Sequence, residues 1–289
     1  MLNVLSIGGN ALNNSKNLEN LLDAIGFLAK KGGLLIVHGN GPQVGELSDL
    51  EGLNLGVLTA QTEAEMGIFL AEEISKRLSK GAASKAKVEV VLTKVRVDPK
   101  DAAFKNPTKP IGRFYTEAQA RRLERRFTLK RLVHGYRRVV ASPSPKEIMN
   151  LGTILELLRR GYIVVAGGGG GIPIAYRGKR YEFADAVIDK DYTSALLAKS
   201  LGAKRLFILT NVDGAYIDFG KKKSSRLAKV RAKDLLRHLR QGQFEQGSMG
   251  PKVEACVSFV KATGGVAAIG NLKRARDTVA LKNCTIVTA

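Results

Sequence analysis

The chain has no tryptophan, two cysteines and three histidines among its 289 residues. Cys256, Cys284, His38, His134 and His238 lie far apart, which leaves no metal-ligand spacing and no disulfide framework. Reduced thiols in a cytoplasmic protein are the expectation. No apolar run nears the ~18 residues that a membrane-spanning helix needs, and the first strand lacks the basic start and apolar stretch of a signal peptide. No membrane association is expected. Acidic residues are also scarce, with Asp+Glu at 26 against Lys+Arg at 47 and a net charge of +21. Such a field draws anions. Yet Arg121-Arg122, Arg125-Arg126 and Lys130-Arg131 alternate with Leu123, Phe127 and Leu129, as the solvated face of a helix does. With aromatics at 6% and no recognisable nucleic-acid module, small anionic molecules are expected partners in preference to nucleic acid.

What the chain has is glycine at particular places. Val164-Val165-Ala166 breaks into Gly167 through Gly171, followed by Ile172-Pro173. Five glycines suit neither helix nor strand, but they let the main chain press against a ligand and turn N–H groups toward an anion. Val4-Leu5-Ser6-Ile7 runs likewise into Gly8-Gly9-Asn10, and Leu34-Leu35-Ile36-Val37 into His38-Gly39-Asn40-Gly41-Pro42. Three such loops predict one phosphate-handling edge of one sheet.

In order along the chain, the pattern predicts strand 2–7, helix 17–31, strand 34–37 and a helical stretch after Gly45. Helix 59–79 follows, with Glu63, Glu65, Glu72, Glu73 and Lys76 outward, and then strand 88–95. This alternation implies a parallel sheet covered on both faces, whose ligands bind beyond the carboxyl ends of its strands. Residues 96–137, punctuated by Pro99, Pro107 and Pro110, read as an excursion carrying a basic helix near 117–126, with Thr116 and Gln119 as a capping box. Strand 138–141 resumes the rhythm. Ser144, Pro145 and Glu147 offer start signals for helix 145–160, and strand 162–166 leads into the glycines. A hairpin turns at Arg177-Gly178-Lys179. From about 185, a second half is predicted with helix 191–201, strand 205–210, a helix near 231–240, helix 251–263, strand 266–269, a short helix and strand 284–288.

Three lysines occupy loops framed by glycine, proline or aspartate. Lys109 lies in Asn106-Pro107-Thr108-Lys109-Pro110, Lys190 between Asp189 and Asp191, and Lys252 after Gly250-Pro251. Phosphoryl transfer needs such cations and N–H donors around the phosphorus, with little covalent chemistry from the protein. The chain contains no Walker A motif and no Gly-x-Gly-x-x-Gly after its first strand.

Taken together, these segments resemble the carbamate kinases. The resemblance rests on Gly8-Gly9-Asn10-Ala11-Leu12, on His38 through Gly45, and on Phe104 through Gly112. It continues through Arg137-Arg138-Val139-Val140-Ala141-Ser142-Pro143 and the glycine run through Pro173. Ala186-Val187-Ile188-Asp189-Lys190-Asp191 and Gly247 through Ala255 complete it. Departures fall where Thr62-Glu63-Ala64-Glu65-Met66-Gly67 stands for a usual Thr-Gln-Gly-x-Ile-Gly, at Ala102 and Arg113 in place of prolines, and at Asn211-Val212-Asp213-Gly214, which looks more like acetylglutamate or UMP kinases.

The resemblance implies an α/β fold, a three-layer αβα sandwich around a mainly parallel eight-stranded sheet, as a single amino acid kinase domain over 1–289 and usually a homodimer. Residues 96–137 would be the protruding subdomain or lid, residues 1–184 mainly the carbamate half, and residues 185–289 mainly the nucleotide half. The implied reaction is ATP + carbamate ⇌ ADP + carbamoyl phosphate, with Mg²⁺ carried by the nucleotide and no protein metal site. Lys109 and Lys252 would neutralise the transferring phosphoryl group, Lys190 would hold nucleotide phosphates, and Asp191 would hold these lysines in place. Gly8, Gly9, Asn10, Gly39, Asn40, Gly41, Gly168, Gly169 and Gly170 would hold the acceptor and phosphate. Thr210, Asn211, Tyr216 and Met249 would line the nucleotide site, and Glu63 is a candidate lining of the acceptor pocket. The alternatives are a same-fold kinase for another carboxylate or phosphate acceptor, and a basic nucleic-acid-associated protein without turnover.

Overall fold

In the computed structural model, residues 1–9, 14–51, 53–79 and 87–289 are described. Asn10, and with it part of the first glycine loop, lies outside them.

The β-branched and apolar runs form an eight-stranded sheet in the spatial order Lys229–Arg231, Thr285–Thr288, Val266–Asn271, Arg205–Thr210, Asn3–Ile7, Leu34–His38, Ile163–Ala166 and Val88–Val91. Every neighbouring pair is parallel except Val266–Asn271 with Thr285–Thr288. Strands read as continuous apolar runs, not as alternations, because both faces are covered. Val4, Leu35, Val164 and Leu206 point into a core shared with Leu197, Val253 and Phe259 of helices Lys190–Ser200 and Met249–Thr263. Leu5, Ile36, Val165 and Phe207, each one residue further along, point into the opposite core with Leu21, Ile25, Leu70 and Ile74 of helices Ser15–Ala29 and Leu55–Ser79. Among the described residues, no helix is long and apolar enough to cross a membrane.

The excursion has its own three-stranded sheet, Lys109–Tyr115, Leu129–Leu132 and Gly135–Val140, with helix Glu117–Leu123 beside it. Both bonds of the Thr116/Gln119 capping box are present. The strand expected at 138–141 to rejoin the main sheet belongs to this small sheet instead, pairing antiparallel with Lys109–Tyr115. A separate core of Val44, Leu55, Leu58, Ile111, Val140 and Val187 seats the subdomain on helix Gly41–Glu51. The seat is close, since a Cβ on Gly45 would fall 2.0 Å from the Gly112 backbone.

Two local readings are corrected. The strand expected at 88–95 is two strands, Val88–Val91 in the main sheet and Lys94–Arg96 in a four-stranded one. Thr93 turns the chain between them, donating its hydroxyl to the Val91 carbonyl at 2.7 Å. The start signals at Ser144, Pro145 and Glu147 do not open a helix. Glu147–Ile148 pairs antiparallel with Val95-Arg96, Arg96 donates to the Glu147 carboxylate at 2.8 Å, and the helix runs Leu151–Arg159. Strand pairing and burial of Ile148 outweigh the local capping preference.

Candidate active site

Parallel register brings Ile7, His38, Ala166 and Thr210 to one edge of the sheet, so the glycine loops after them converge there. Helix Lys190–Ser200 starts at the same edge, its N-terminus capped by Asp189, whose Oδ1 accepts the Asp191 N–H at 2.9 Å. A helix N-terminus and turning glycine amides concentrate positive potential on one small volume.

A cleft of about 330 Å³ opens at this edge, lined by Gly8, Gly9, Gly39, Asn40, Gly41, Lys109, Gly169, Lys190, Asp191, Thr210, Asn211 and Lys252. Asp191, 1% exposed, organises it. Its Oδ1 accepts from the Lys190 ammonium at 2.6 Å and from the Ser6 hydroxyl at 3.0 Å, while its Oδ2 accepts from Lys252 at 3.1 Å. Ser6 also accepts from Lys190 at 3.0 Å, closing the triangle. Burial opposes ionisation of Asp191, but the Lys190 and Lys252 ammonium groups outweigh it and hold the carboxyl well below its ordinary range. Burial pulls the Lys190 ammonium down, whereas at Lys252 the Asp191 and Asp189 charges outweigh burial and push it up. Lys252 stands in the first turn of helix Met249–Thr263 and also donates to the Ser248 carbonyl at 3.1 Å.

The sequence expectation that Asp191 holds all three lysines is corrected for Lys109, which reaches Asp189 Oδ2 at 2.7 Å. A lysine from the small sheet thus closes on the cap of the helix that carries Lys190 and Asp191. Two anions (Asp189, Asp191) and four cations (Lys109, Arg137, Lys190, Lys252) line this cleft and leave a net positive charge to meet a phosphate.

The glycine run also behaves differently from the expectation. The Gly168 N–H donates to Glu63 Oε1 at 2.9 Å and the Gly170 N–H to the Gly167 carbonyl at 3.0 Å. Both amides are therefore engaged, one by Glu63 and one within the turn, and of Gly168, Gly169 and Gly170 it is Gly169 that lines the cleft. With φ +66° and a would-be Cβ 2.1 Å from the Asn40 amide nitrogen, Gly169 tolerates no side chain. Asn40 is buried, its side chain donating to the Thr62 hydroxyl at 2.7 Å. Glu63, read as outward on its helix and then as lining the pocket, is 1% exposed and stands behind the glycine turn. The Gly39 N–H is likewise taken, by the Ile7 carbonyl at 2.9 Å.

Sequence reasoning overlooked Ser6, Asp189 as the partner of Lys109, and Arg137. Ser6 was discoverable as a polar residue interrupting an apolar strand beside the first glycines. Arg137 lines the cleft, donates to the Gly112 carbonyl at 2.6 Å and keeps a buried Nε without a partner. Burial lowers its guanidinium below the ordinary value.

A second cavity of about 610 Å³ shares Thr210, Asn211 and Ser248 with the first and continues between Tyr216, Phe219, Phe244 and Met249. It has the size of a nucleoside site, with a few aromatic and aliphatic side chains set among polar ones. Of the six residues expected at the nucleotide, Thr210, Asn211, Tyr216 and Met249 line it, while Lys190 and Lys252 line the first cleft.

A family model described as the amino acid kinase family matches residues 1–271. A carbamate kinase of Thermoplasma acidophilum is 35% identical, the match covering 98% of both chains. Carbamate kinase 3 of Staphylococcus aureus is 40% identical, again over 98% of both. The solved structure of a Giardia lamblia carbamate kinase bound to AMP-PNP superposes with a TM-score of 0.86 at 33% identity, covering 99% of this chain and 98% of that one.

Proposed function

The chain belongs to the amino acid kinase family, among its carbamate kinases, and we propose that its cleft transfers a phosphoryl group reversibly between ATP and carbamate. The observation that carries this reading is the set of three lysines held by buried Asp191 and half-buried Asp189 beside a glycine-lined cavity. Carbamate is already an oxygen anion, so no general base is needed. Its oxygen attacks the γ-phosphorus, the bond from that phosphorus to the β–γ bridging oxygen breaks, and ADP leaves with the electron pair. Charge spread over the transferred group is met by preorganised donors that need no rearrangement. Lys252 and Lys109 face that group, Lys190 holds the nucleotide phosphates, and Asp191 and Asp189 keep the ammonium groups from repelling one another apart. Gly8, Gly9, Gly41, Gly169 and Asn40 cradle the acceptor, as would Asn10, and Arg137 offers its guanidinium edge to the acceptor's oxygens.

Both carboxylates in the cleft are engaged by ammonium groups, which suits Mg²⁺ held by the nucleotide's own phosphates. Bound there, the ion would supply further charge neutralisation on the β- and γ-oxygens. Residues 1–184 serve mainly the acceptor, residues 185–289 mainly the nucleotide, and the small sheet is the lid that brings Lys109 over the phosphates. The protein is proposed to act in the cytoplasm as a homodimer. Ile68 at 61% exposure, with Phe69 and Leu92 also exposed near the Val88–Val91 edge, supports a self-association surface, and a monomeric sedimentation mass at micromolar concentration would remove that part.

The test of the acceptor is ADP release from ATP in the presence of carbamate, N-acetylglutamate, UMP or isopentenyl phosphate. Carbamate should give the highest kcat/KM by at least ~10²-fold, since a site shaped around one acceptor leaves polar groups unpaired with another. Equal or greater turnover with any of the others would transfer the assignment to that acceptor.

A further inference from the structure

Behind the glycine turn is a carboxyl group that the transfer reaction does not touch. Glu63 projects from helix Leu55–Ser79 into the space under Gly167-Gly168-Gly169. Its Oε1 accepts the Gly168 N–H at 2.9 Å and the Thr93 N–H at 3.2 Å, and its Oε2 lies 3.2 Å from the same Thr93 nitrogen. Thr93 extends the support, its hydroxyl accepting the Gly167 N–H at 2.7 Å. On the other side stands His38, whose Nε2 is buried without a partner. A Cβ at Gly168 would fall 2.4 Å from that nitrogen and 2.8 Å from Glu63 Cγ, so Gly168 is gripped between the two side chains. The next residue, Gly169, faces the cleft.

We propose that Glu63 is a positioning residue for the acceptor site, holding the Gly167–Gly169 turn through its carboxyl group and tuning by its charge how tightly the site keeps an anionic acceptor. The inference rests on the acceptor reading above. No cation pairs with Glu63 among the described residues. The titratable group facing it is His38 on strand Leu34–His38, whose ring in turn feels the Lys190 charge on helix Lys190–Ser200; Thr93 and the glycine turn bring none. Burial pushes the Glu63 carboxyl up to about 8, against the pull of the Thr93 and Gly168 N–H groups. Burial holds His38 down at about 4, so the ring stays neutral throughout the working range. Below pH 8 the carboxyl is mostly neutral and adds no negative charge behind the acceptor's seat. Above it, a carboxylate lies directly behind the anion's seat.

The expected consequence is that KM for carbamoyl phosphate rises about tenfold from pH 7 to pH 9, the order one added charge gives at an effective dielectric near 20. KM for ADP should change less. In Glu63→Gln the extra rise should vanish, leaving whatever Lys190 contributes in both proteins. Glu63→Ala, which strips the Gly168 N–H of its partner, should raise KM for carbamoyl phosphate on the order of tenfold with kcat much less affected, as loss of binding common to ground and transition states does. Urea unfolding supplies a readout independent of turnover. A carboxyl whose folded pKa is raised contributes stability that is lost as pH climbs from the unfolded value toward the folded one. The wild-type midpoint should therefore decline between about pH 4.5 and pH 8 relative to that of Glu63→Gln and level off above that. Parallel pH profiles for the two proteins in both KM and midpoint would overturn the proposal, as would equal KM effects on ADP and carbamoyl phosphate in Glu63→Ala. If the wild type makes no ATP from carbamoyl phosphate, the acceptor reading fails, while the unfolding profiles still report whether Glu63 titrates.

Discussion

Replacing Asp191 by asparagine removes one charge without removing volume, and the structure says what that should do. The carboxylate is the shared partner of Lys190 and Lys252 and accepts from Ser6. Asparagine offers one oxygen in place of two, and its amide end must face an ammonium group. Breaking a buried ion pair costs about 3–5 kcal/mol because the remaining charge is left unpaired. The lysine side chains are 12% and 17% exposed, so part of their charge can turn to water, and a loss near the lower figure, about 3 kcal/mol, is expected. The same displacement takes two donors away from the phosphoryl group, and turnover should fall by ~10²–10³ or more. The stability difference also has a pH signature. The Asp191 carboxyl is held below its unfolded value, so its contribution is complete above about pH 4 and is lost as pH falls through the depressed folded value. Urea unfolding of wild type and Asp191→Asn should therefore give curves that differ at pH 7 and approach one another in strong acid. A variant within about tenfold of wild-type turnover and within ~1 kcal/mol of its stability at pH 7 would refute the claim that Asp191 organises the site.

Other consequences follow from the same geometry. Lys252→Ala should fold normally yet lose ~10²–10³ in kcat, with Lys252→Arg recovering part of it because a planar guanidinium does not fill the place of a compact ammonium; Lys222→Ala, in a basic loop away from the cleft, is the control that should stay near wild type. Raising ionic strength should raise KM for ADP and carbamoyl phosphate, since the net charge of +21 steers anions over a Debye length of ~8–10 Å; a KM independent of salt would remove steering as a use of that charge. Amide exchange across residues 113–137 should be faster than across strand Ile163–Ala166 and should slow when nucleotide and acceptor are both added, whereas equal and ligand-insensitive exchange would argue against a moving lid.

Some of this was legible in the sequence for identifiable reasons. Strand Arg205–Thr210 carries a continuous apolar run between clear breakers, and both its ends were read correctly. The glycine loops declared the functional edge because no regular element accommodates them. Lys109, Lys190 and Lys252 stood out as charges placed where chain direction is fixed by glycine, proline or a helix start. Partnerships between distant residues were less accessible. Lys109 meets Asp189 across 80 positions, and nothing local distinguishes Asp189 from Asp191 as its partner. Glu63 looks outward by helical period, yet the glycine turn 105 residues away supplies N–H groups that make burial tolerable. At Glu147 the local capping signal is sound, but an antiparallel partner at Arg96 competes for the same residues and wins. The Gly168 and Gly170 amides, expected to face the ligand, are spent on Glu63 and on the Gly167 carbonyl, in the turn that presents Gly169. In each case the chemistry of the residue was visible and its tertiary partner was not.

The most direct test of the central claim is phosphorus NMR of the protein mixed with MgADP and carbamoyl phosphate. The account predicts growth of the ATP γ-phosphate resonance at the rate carbamoyl phosphate disappears, and no such growth above the uncatalysed background with Asp191→Asn over the same interval. Wild-type protein that leaves both substrates unchanged, or that hydrolyses carbamoyl phosphate to inorganic phosphate without forming ATP, would contradict it.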